Sequence, residues 1–291
     1  MKILYVTRGK KLDYINDLLF HGLHALYGAD VVDSRPLWYL YSESLPFRKI
    51  KHLYGRGFSI AKSIPKDEVD RTDIANKIKN KYYDYVIYGQ IRICSDYLDL
   101  VLKHYPKNKI AFICGEDENV SPSILFSDKF IFFKREMGER RKNMSPISFA
   151  FIKDRIVSDI SSIKKTQKFA TVIPGNKKTY KFKLEASYYK DYQKSFFGKT
   201  RKKAGWDCLR HYEILANYCL PHFEGLAACP ENTMVNYPKE LGLEANKLAE
   251  SDNFDEMRYY ELLNETFEYF RTKMTTEHLA KYVINTLNKL Q

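Results

Sequence analysis

The sequence predicts an α/β protein with two halves, each organised around a sheet of parallel strands. A β-rich run at residues 2–6 is followed by the turn Thr7-Arg8-Gly9 and by apolar residues at helical spacing, the usual opening of a nucleotide-binding α/β layout. The strand pattern restarts at 168–173, after a stretch rich in serine and lysine. A chain of 291 residues can form two separate cores. We therefore expect domains at 1–160 and 161–291.

The first half is predicted to alternate strands with helices. The strands are expected at 2–6, 29–33, 85–88, 109–114 and 128–134, with an extended segment at 145–152, and the helices at 12–23, 67–81 and 97–102. Basic and aromatic residues interleave around two glycines at 48–57. Such a segment can contact the phosphates of an acceptor while its aromatic faces meet sugars or bases, or it can be a solvated loop.

The second half is predicted to be shorter. The strand at 168–173 leads to a turn at Gly175, a short helix at 188–197, a basic run at 199–203 and a helix at 207–218 that ends before a strand starting at Cys219. Asp207 is a plausible acid of that helix's first turn. Further helices are expected at 238–250, 254–273 and 275–290. This spacing leaves room for a sheet of three or four strands.

The composition indicates a polyanionic partner without identifying it. Lysine and arginine together exceed aspartate and glutamate by 48 − 36 = 12. Nucleic acid, anionic lipid and phosphorylated glycan all fit such a charge. The excess of lysine, together with abundant Tyr, Asn and Ile, can equally reflect nucleotide bias in the source genome.

The sequence does not indicate a membrane-spanning or a metal-binding protein. The sequence has no apolar run of about eighteen residues and no cleavage-like signal at its amino terminus, so we expect a cytoplasmic protein, with peripheral contact to a membrane still open. Five scattered cysteines and seven histidines lack the spacing of metal ligands. We expect buried free thiols and no metal.

One pair of charges on the helix at 207–218 suggests a ligand. Arg210 and Glu213 are three residues apart and project from one helical face, which we expect to be exposed. Arginine suits bidentate contact with phosphate, and a carboxylate can accept both hydroxyl protons of a ribose. A nucleotide sugar offers both groups. The alternative is an ordinary surface ion pair.

A resemblance to a known superfamily supports the ligand hypothesis. The run at 205–223 resembles the sugar-nucleotide helix of GT-B glycosyltransferases, especially the Leu-Arg-x-x-Glu pattern of phage DNA β-glucosyltransferases, and also a similar run of exostosin-like enzymes. The resemblance implies two facing Rossmann-like domains, the second abbreviated, with carboxyl-terminal helices. It also implies that Arg210 contacts the diphosphate of a donor and that Glu213 contacts its ribose.

The same resemblance suggests a catalytic base. The acids Glu116, Asp117 and Glu118 follow the strand at 109–114, where open parallel sheets bind ligands. Asp117 resembles the catalytic aspartate of the phage enzymes in its order after a strand, and its two neighbours are alternatives. The acidic loop can also simply solvate the strand end.

Other residues are weaker candidates for contact with the donor. Arg8 and Gly9 follow the first strand, and Gly175 stands where GT-B enzymes often have a glycine-rich turn, although this chain has only one glycine there. Lys202 and Lys203 precede the central helix and can line the diphosphate or the path of the acceptor.

The sequence therefore predicts a glycosyltransferase with a nucleoside diphosphate sugar, most simply a UDP-sugar, as donor and no permanently bound cofactor. A surface or lipid-linked glycan is the favoured acceptor. A hydroxymethylated base of DNA is the first alternative, and a non-catalytic nucleic-acid-binding protein is the second. The identity of the sugar and the stereochemistry of transfer are not determined by these patterns.

Overall fold

A six-stranded parallel sheet forms the core of the first half. The computed structural model describes residues 1–43, 47–118, 126–138 and 140–289, with the side chains of 47 and 48 left out. The strands run in the order β2-β1-β3-β4-β5-β6. They are β1 (Ile3–Val6), β2 (Val31–Asp33), β3 (Tyr85–Tyr88), β4 (Ile110–Cys114), β5 (Ile131–Lys134) and β6 (Met144–Pro146).

Helices accompany this first sheet. They are α1 (Tyr14–Tyr27), α2 (Phe47–Ile50), α3 (Ile74–Lys79) and α4 (Leu98–His104). Strands β1, β3 and β4 are buried along their whole length, as expected for apolar strands covered on both faces. The side chain of Asp13 caps α1 by accepting a hydrogen bond from the Asn16 amide.

The second half has a smaller parallel sheet in the order β7-β8-β9. Its strands are β7 (Gln167–Phe169), β8 (Ser195–Arg201) and β9 (Leu220–Glu224). The helices are α5 (Glu185–Gln193), α6 (Leu209–Ala216), α7 (Lys239–Glu250), α8 (Glu256–Lys273) and α9 (Thr276–Lys289). The predicted class, an α/β protein with an abbreviated second sheet and carboxyl-terminal helices, is confirmed.

The last helix returns to the first half. Helix α9 packs along α1, where a Cβ atom on Gly22 would lie 1.9 Å from the carbonyl oxygen of Thr276. The hydroxyl of Tyr282 on α9 donates to the carbonyl of Pro146 on β6. The boundary between 1–160 and 161–291 stays a prediction, but the chain crosses back over it.

Several predicted elements are wrong in detail. The residues predicted as a helix at 188–197 form the end of α5 and the start of β8, and part of the basic run at 199–203 belongs to that strand. Only Ile74–Lys79 of the predicted helix at 67–81 is helical. Asp207 lies before the first turn of α6, because Cys208 is the residue that precedes the helix.

In the part of the chain that the structure describes, no helix has both the length and the apolar character needed to cross a bilayer.

Candidate functional site

A cavity of about 630 Å³ is lined by both halves of the chain, a size typical of small-molecule sites. Its walls are formed by Tyr14, Tyr54, Gly55, Arg56, Phe58, Asp117 and Phe149 from the first half, and by Val172, Tyr180, Phe182, Tyr188, Lys203, Ala204, Gly205, Asp207, Cys208, Leu209, Arg210 and Glu213 from the second.

The amino-terminal end of α6 opens into this cavity. Cys208 and Leu209 line the wall, and the side chain of Cys208 makes no capping hydrogen bond. The first N–H groups of a helix have no partner within the helix, and its dipole favours negative charge there. Arg210 adds a full positive charge in the same turn. This end of α6 is therefore suited to bind negatively charged oxygens.

Arg210 has unused hydrogen-bonding capacity. Its Nε atom is buried and has no hydrogen-bond partner, and its guanidinium lies 5.6 Å from the centre of the Tyr180 ring. No acid among the described residues forms an ion pair with it. A buried donor without a partner costs free energy, and a ligand that accepts its hydrogen bond relieves that cost.

Glu213 faces the same cavity but is 8 % exposed. Its Oε1 accepts a hydrogen bond of 2.7 Å from the Ser59 hydroxyl, and its Oε2 accepts one of 2.7 Å from the Tyr188 hydroxyl. Burial raises the pKa of Glu213, and these two hydrogen bonds partly offset the rise by stabilising the carboxylate.

The predicted environment of this pair needs a correction. The helical face was expected to be exposed, but every residue of α6 except Arg210 is buried, because the helix packs between the second sheet and its neighbours. The alternative, a surface ion pair, is wrong as well: within the described residues, Arg210 and Glu213 form no ion pair with each other. Both side chains line the cavity between the two halves instead.

Asp117 lies on the opposite wall and is 51 % exposed. It forms an ion pair with Arg135, a side chain that is only 2 % exposed. Arg135 also donates to Glu136 at 2.7 Å and to the carbonyl of Asp207 at 2.6 Å. One guanidinium therefore holds Asp117 and ties it to the entry of α6. Gly205 approaches the same group, since a Cβ there would lie 2.8 Å from Asp117 Oδ1.

The two acids beside Asp117 do not line the cavity. Glu116 forms an ion pair with Arg92, and its carbonyl accepts a hydrogen bond of 2.9 Å from Lys134. Glu118 is exposed. Of the three acids predicted as bases, Asp117 is the one in the cavity wall.

Of the weaker candidates for contact with the donor, only Lys203 lines the cavity. Lys202 instead lies 5.1 Å from the centre of the Trp206 ring. Arg8 is exposed, with its amide bonded to Gln90, and Gly9 is buried in a left-handed conformation. Gly175 is outside the lining, although its amide donates to the hydroxyl of Tyr180, which is part of it.

A loop of the first half reaches the second half at this site. We call residues 54–62 the crossing loop. Its Ser59 donates to Glu213, contacts the Tyr189 hydroxyl at 2.6 Å and bonds through its amide to Glu185. Arg155 pairs with Glu185 at 2.9 Å and also donates to the carbonyl of Ala61. Apart from the glycines and aromatics of 48–57, no sequence pattern points to these contacts.

No metal centre is evident in the described ranges, where no group of three or more His, Cys, Asp or Glu side chains is placed to hold an ion. All five cysteines are free thiols; Cys94, Cys114 and Cys219 are buried as expected, whereas Cys208 and Cys229 are only half-buried.

Comparison with solved structures identifies proteins of similar fold. Neither protein-family models nor curated protein sequences match the chain. Among solved structures, Anabaena Alr3699/HepE in complex with UDP and glucose is similar over 99 % of both chains, with a TM-score of 0.50 and 10 % identity. An α-glucosyltransferase in complex with UDP and a 13-mer DNA is similar over 98 % of both chains, also with a TM-score of 0.50 and 10 % identity. The fold is GT-B. The cavity described above lies between the two halves of this fold.

Proposed function

We propose that this GT-B chain is a glycosyltransferase that moves a sugar from a UDP-sugar to a hydroxyl of a surface or lipid-linked glycan. One observation carries the proposal: a single cavity brings together Arg210, Glu213 and the open end of α6 from one half and Asp117 from the other. The UDP bound in the two similar structures supports the choice of nucleotide.

Each part of the donor has a matching group. The diphosphate lies at the start of α6, where Arg210 and Lys203 neutralise its charge. The ribose hydroxyls donate to Glu213. Negative charge grows on the departing diphosphate as the transition state forms. Groups that stabilise this negative charge therefore lower the barrier to sugar transfer.

Asp117 serves the acceptor. In a single displacement, the acceptor oxygen forms a bond to the anomeric carbon while the bond from that carbon to the β-phosphate oxygen breaks. The electron pair leaves with UDP, and the hydroxyl proton passes to the Asp117 carboxylate. Arg135 holds this carboxylate in position. Nothing in the reaction requires a covalent bond to the protein.

The test is a thermal-shift screen with UDP, GDP, ADP and dTDP on the wild type and on an Arg210→Gln variant. A ligand that binds only the folded state raises the melting temperature. We expect UDP to do so for the wild type and Arg210→Gln to weaken UDP binding about tenfold or more, since it loses charged hydrogen bonds. Arg258→Gln, which removes an exposed ion pair between α8 and Glu244 of α7, is the control. Absence of a shift with every nucleotide contradicts the proposal and leaves the non-catalytic alternative.

DNA is a second candidate acceptor. The α-glucosyltransferase of similar fold was solved with DNA, and this chain carries a net charge of +12. A DNA acceptor predicts that affinity for an oligonucleotide containing a hydroxymethylated base falls steeply between about 50 and 200 mM salt, because each neutralised phosphate releases counterion. Fluorescence anisotropy measures this. Binding that is weak at every salt concentration excludes DNA.

A further inference from the structure

We propose that the first-half wall of the cavity is a subsite for a sugar unit that carries a negative group, either a carboxylate or a phosphate ester. The proposal rests on the glycosyltransferase function above and narrows its acceptor. The subsite consists of Arg56 and Tyr54 of the crossing loop, with Tyr14 and Phe149 beneath them.

The balance of charge in the cavity supports an anionic acceptor. Among the described residues three cations line it: Arg210 and Lys203 on the second-half wall and Arg56 on the first. The first two match the two negative charges of a donor diphosphate. Arg56 forms no ion pair with any acid in the described ranges, so its charge stays available on the wall where the acceptor binds. The nearby carboxylate of Asp117 is already paired with Arg135.

The backbone holds Arg56 in an unfavourable conformation. Gly55, Arg56 and Gly57 are all left-handed, with φ of 57°, 59° and 70°. Arginine rarely adopts such a conformation, whereas glycine does so readily. The turn is fixed by the Arg56 amide, which donates to Leu53 O at 2.9 Å, and by the close approach of Gly55 to the Tyr14 hydroxyl. Of the left-handed non-glycine residues in the described part of the chain, Arg56 is the one that lines the cavity.

The aromatic groups favour a sugar ring over a base. The Tyr54 side chain is 68 % exposed. Its ring is tilted by 56° against Tyr14, whose ring meets Phe149 at 80°. Of these three rings only Tyr54 is exposed, whereas enzymes that act on an extruded base generally hold it between two flat or apolar groups. A single face suits the apolar side of a sugar while its anionic group reaches Arg56.

The test uses two substitutions matched in backbone and charge. Arg56→Asn and Lys62→Asn each remove one positive charge from a left-handed position of the crossing loop, at φ of 59° and 60°, and asparagine tolerates that conformation. Only Arg56 lines the cavity. With UDP present, NMR titration gives dissociation constants for four probes: methyl glucoside, methyl glucuronide, glucose 6-phosphate and thymidine 5′-monophosphate.

We expect the wild type to bind the glucuronide or the sugar phosphate about tenfold more tightly than the neutral glucoside, as a charged hydrogen bond provides. Which of the two binds more tightly identifies the anionic group. Arg56→Asn should abolish the preference and Lys62→Asn should keep it, with UDP affinity unchanged in both.

Other outcomes overturn the proposal. If the wild type binds neutral and anionic sugars equally tightly, the cavity has no subsite for an anionic group. Tighter binding of thymidine 5′-monophosphate than of both anionic sugars assigns the subsite to nucleic acid instead. If Arg56→Asn weakens UDP itself, Arg56 belongs to the donor site. A wild type that does not bind UDP contradicts the proposed function as well, and so distinguishes the two failures.

Discussion

The carboxylate of Glu213 is held by two hydroxyl groups of the protein itself. Each carboxylate oxygen can accept two hydrogen bonds, and Ser59 and Tyr188 use one on each. One acceptor position therefore remains on each oxygen, which matches the two hydroxyls of a ribose. The protein hydrogen bonds also fix the orientation of the carboxylate before a ligand binds.

We expect Tyr188→Phe to shift the pH dependence of UDP binding upward. Burial raises the pKa of Glu213 and the Tyr188 hydroxyl opposes that rise, so loss of the hydroxyl raises the pKa further. Only the ionised carboxylate accepts two hydroxyl protons, and binding is therefore lost as pH falls through this pKa. In the variant the loss should begin at a higher pH, as measured by calorimetric titration across pH.

Tyr192→Phe is the control for this experiment. The Tyr192 hydroxyl contacts Tyr188 at 2.9 Å and does not bond to Glu213, so its loss should leave the midpoint nearly unchanged. If the pH midpoint of UDP binding is the same for the wild type and Tyr188→Phe, Glu213 does not contact the nucleotide.

At this scale the sequence identified the central residues but not their partners. Arg210 and Glu213 stand out because three-residue spacing within a known pattern is local information. Ser59 lies 154 residues from Glu213, and Arg135 lies 72 from Asp207. Contacts over such separations are set by the packing of the two halves, which no local spacing encodes.

Among the elements, the pairing of α1 with α9 joins the end of the chain to its beginning. It depends on Gly22, because only a residue without a side chain lets the Thr276 carbonyl approach so closely. The hydroxyl of Thr276 also contacts the ring of His21 at 3.0 Å. The helix therefore has a defined position along α1.

Gly22→Ala should separate the two helices. The added methyl group would lie 1.9 Å from a backbone oxygen, and neither helix can yield without losing its packing. We expect a loss of about 3 kcal/mol or more in the free energy of unfolding, at the upper end for an overpacked site. Urea denaturation measures it.

The control is Gly225→Ala, in the turn before Leu226. A Cβ at Gly225 meets no atom within 4 Å, so only the left-handed backbone, with φ of 79° and ψ of 10°, opposes the change. Its expected cost is about 1 kcal/mol. Equal losses in the two variants would show that the contact with Thr276 does not limit the packing.

The sequence predicted most helices and missed β8. Helices α7, α8 and α9 were expected within a few residues of where they occur, because their apolar stripes are long. Helix α5 ends at Gln193 and β8 begins at Ser195, so a single residue separates them. No glycine or proline marks that change, and the local pattern could not reveal it.

Across the whole molecule, Arg135 connects the two halves. It follows β5, bonds to the Gly115 carbonyl at 2.9 Å in the first half and reaches the Asp207 carbonyl in the second. In return, the amide of Asp207 donates to Glu136 at 2.9 Å. Burial raises the pKa of Asp207 to about 6, and the positive charge of Arg135 limits that rise.

We expect Arg135→Met to lower the free energy of unfolding by about 3–5 kcal/mol, because Glu136, only 1 % exposed, would be left without its partner. Adding Glu136→Gln should recover part of the loss by removing the unpaired charge. Arg141→Met is the control: its ion pair with Asp128 is 4.0 Å long and exposed, and should be worth less than about 1 kcal/mol. A double variant no more stable than Arg135→Met would refute this account.

The hydrogen bond from Ser59 to Glu213 has a consequence for how tightly a nucleotide can be held. Ser59 of the crossing loop binds the same carboxylate, that of Glu213, to which the ribose of the donor is assigned. Binding of the nucleotide and attachment of the loop to Glu213 are therefore linked equilibria. By thermodynamic reciprocity, whatever factor the nucleotide contributes to keeping the loop attached, the attached loop returns to the nucleotide's affinity. An acceptor resting on Tyr54 and Arg56 would therefore influence how long the donor stays, without touching it.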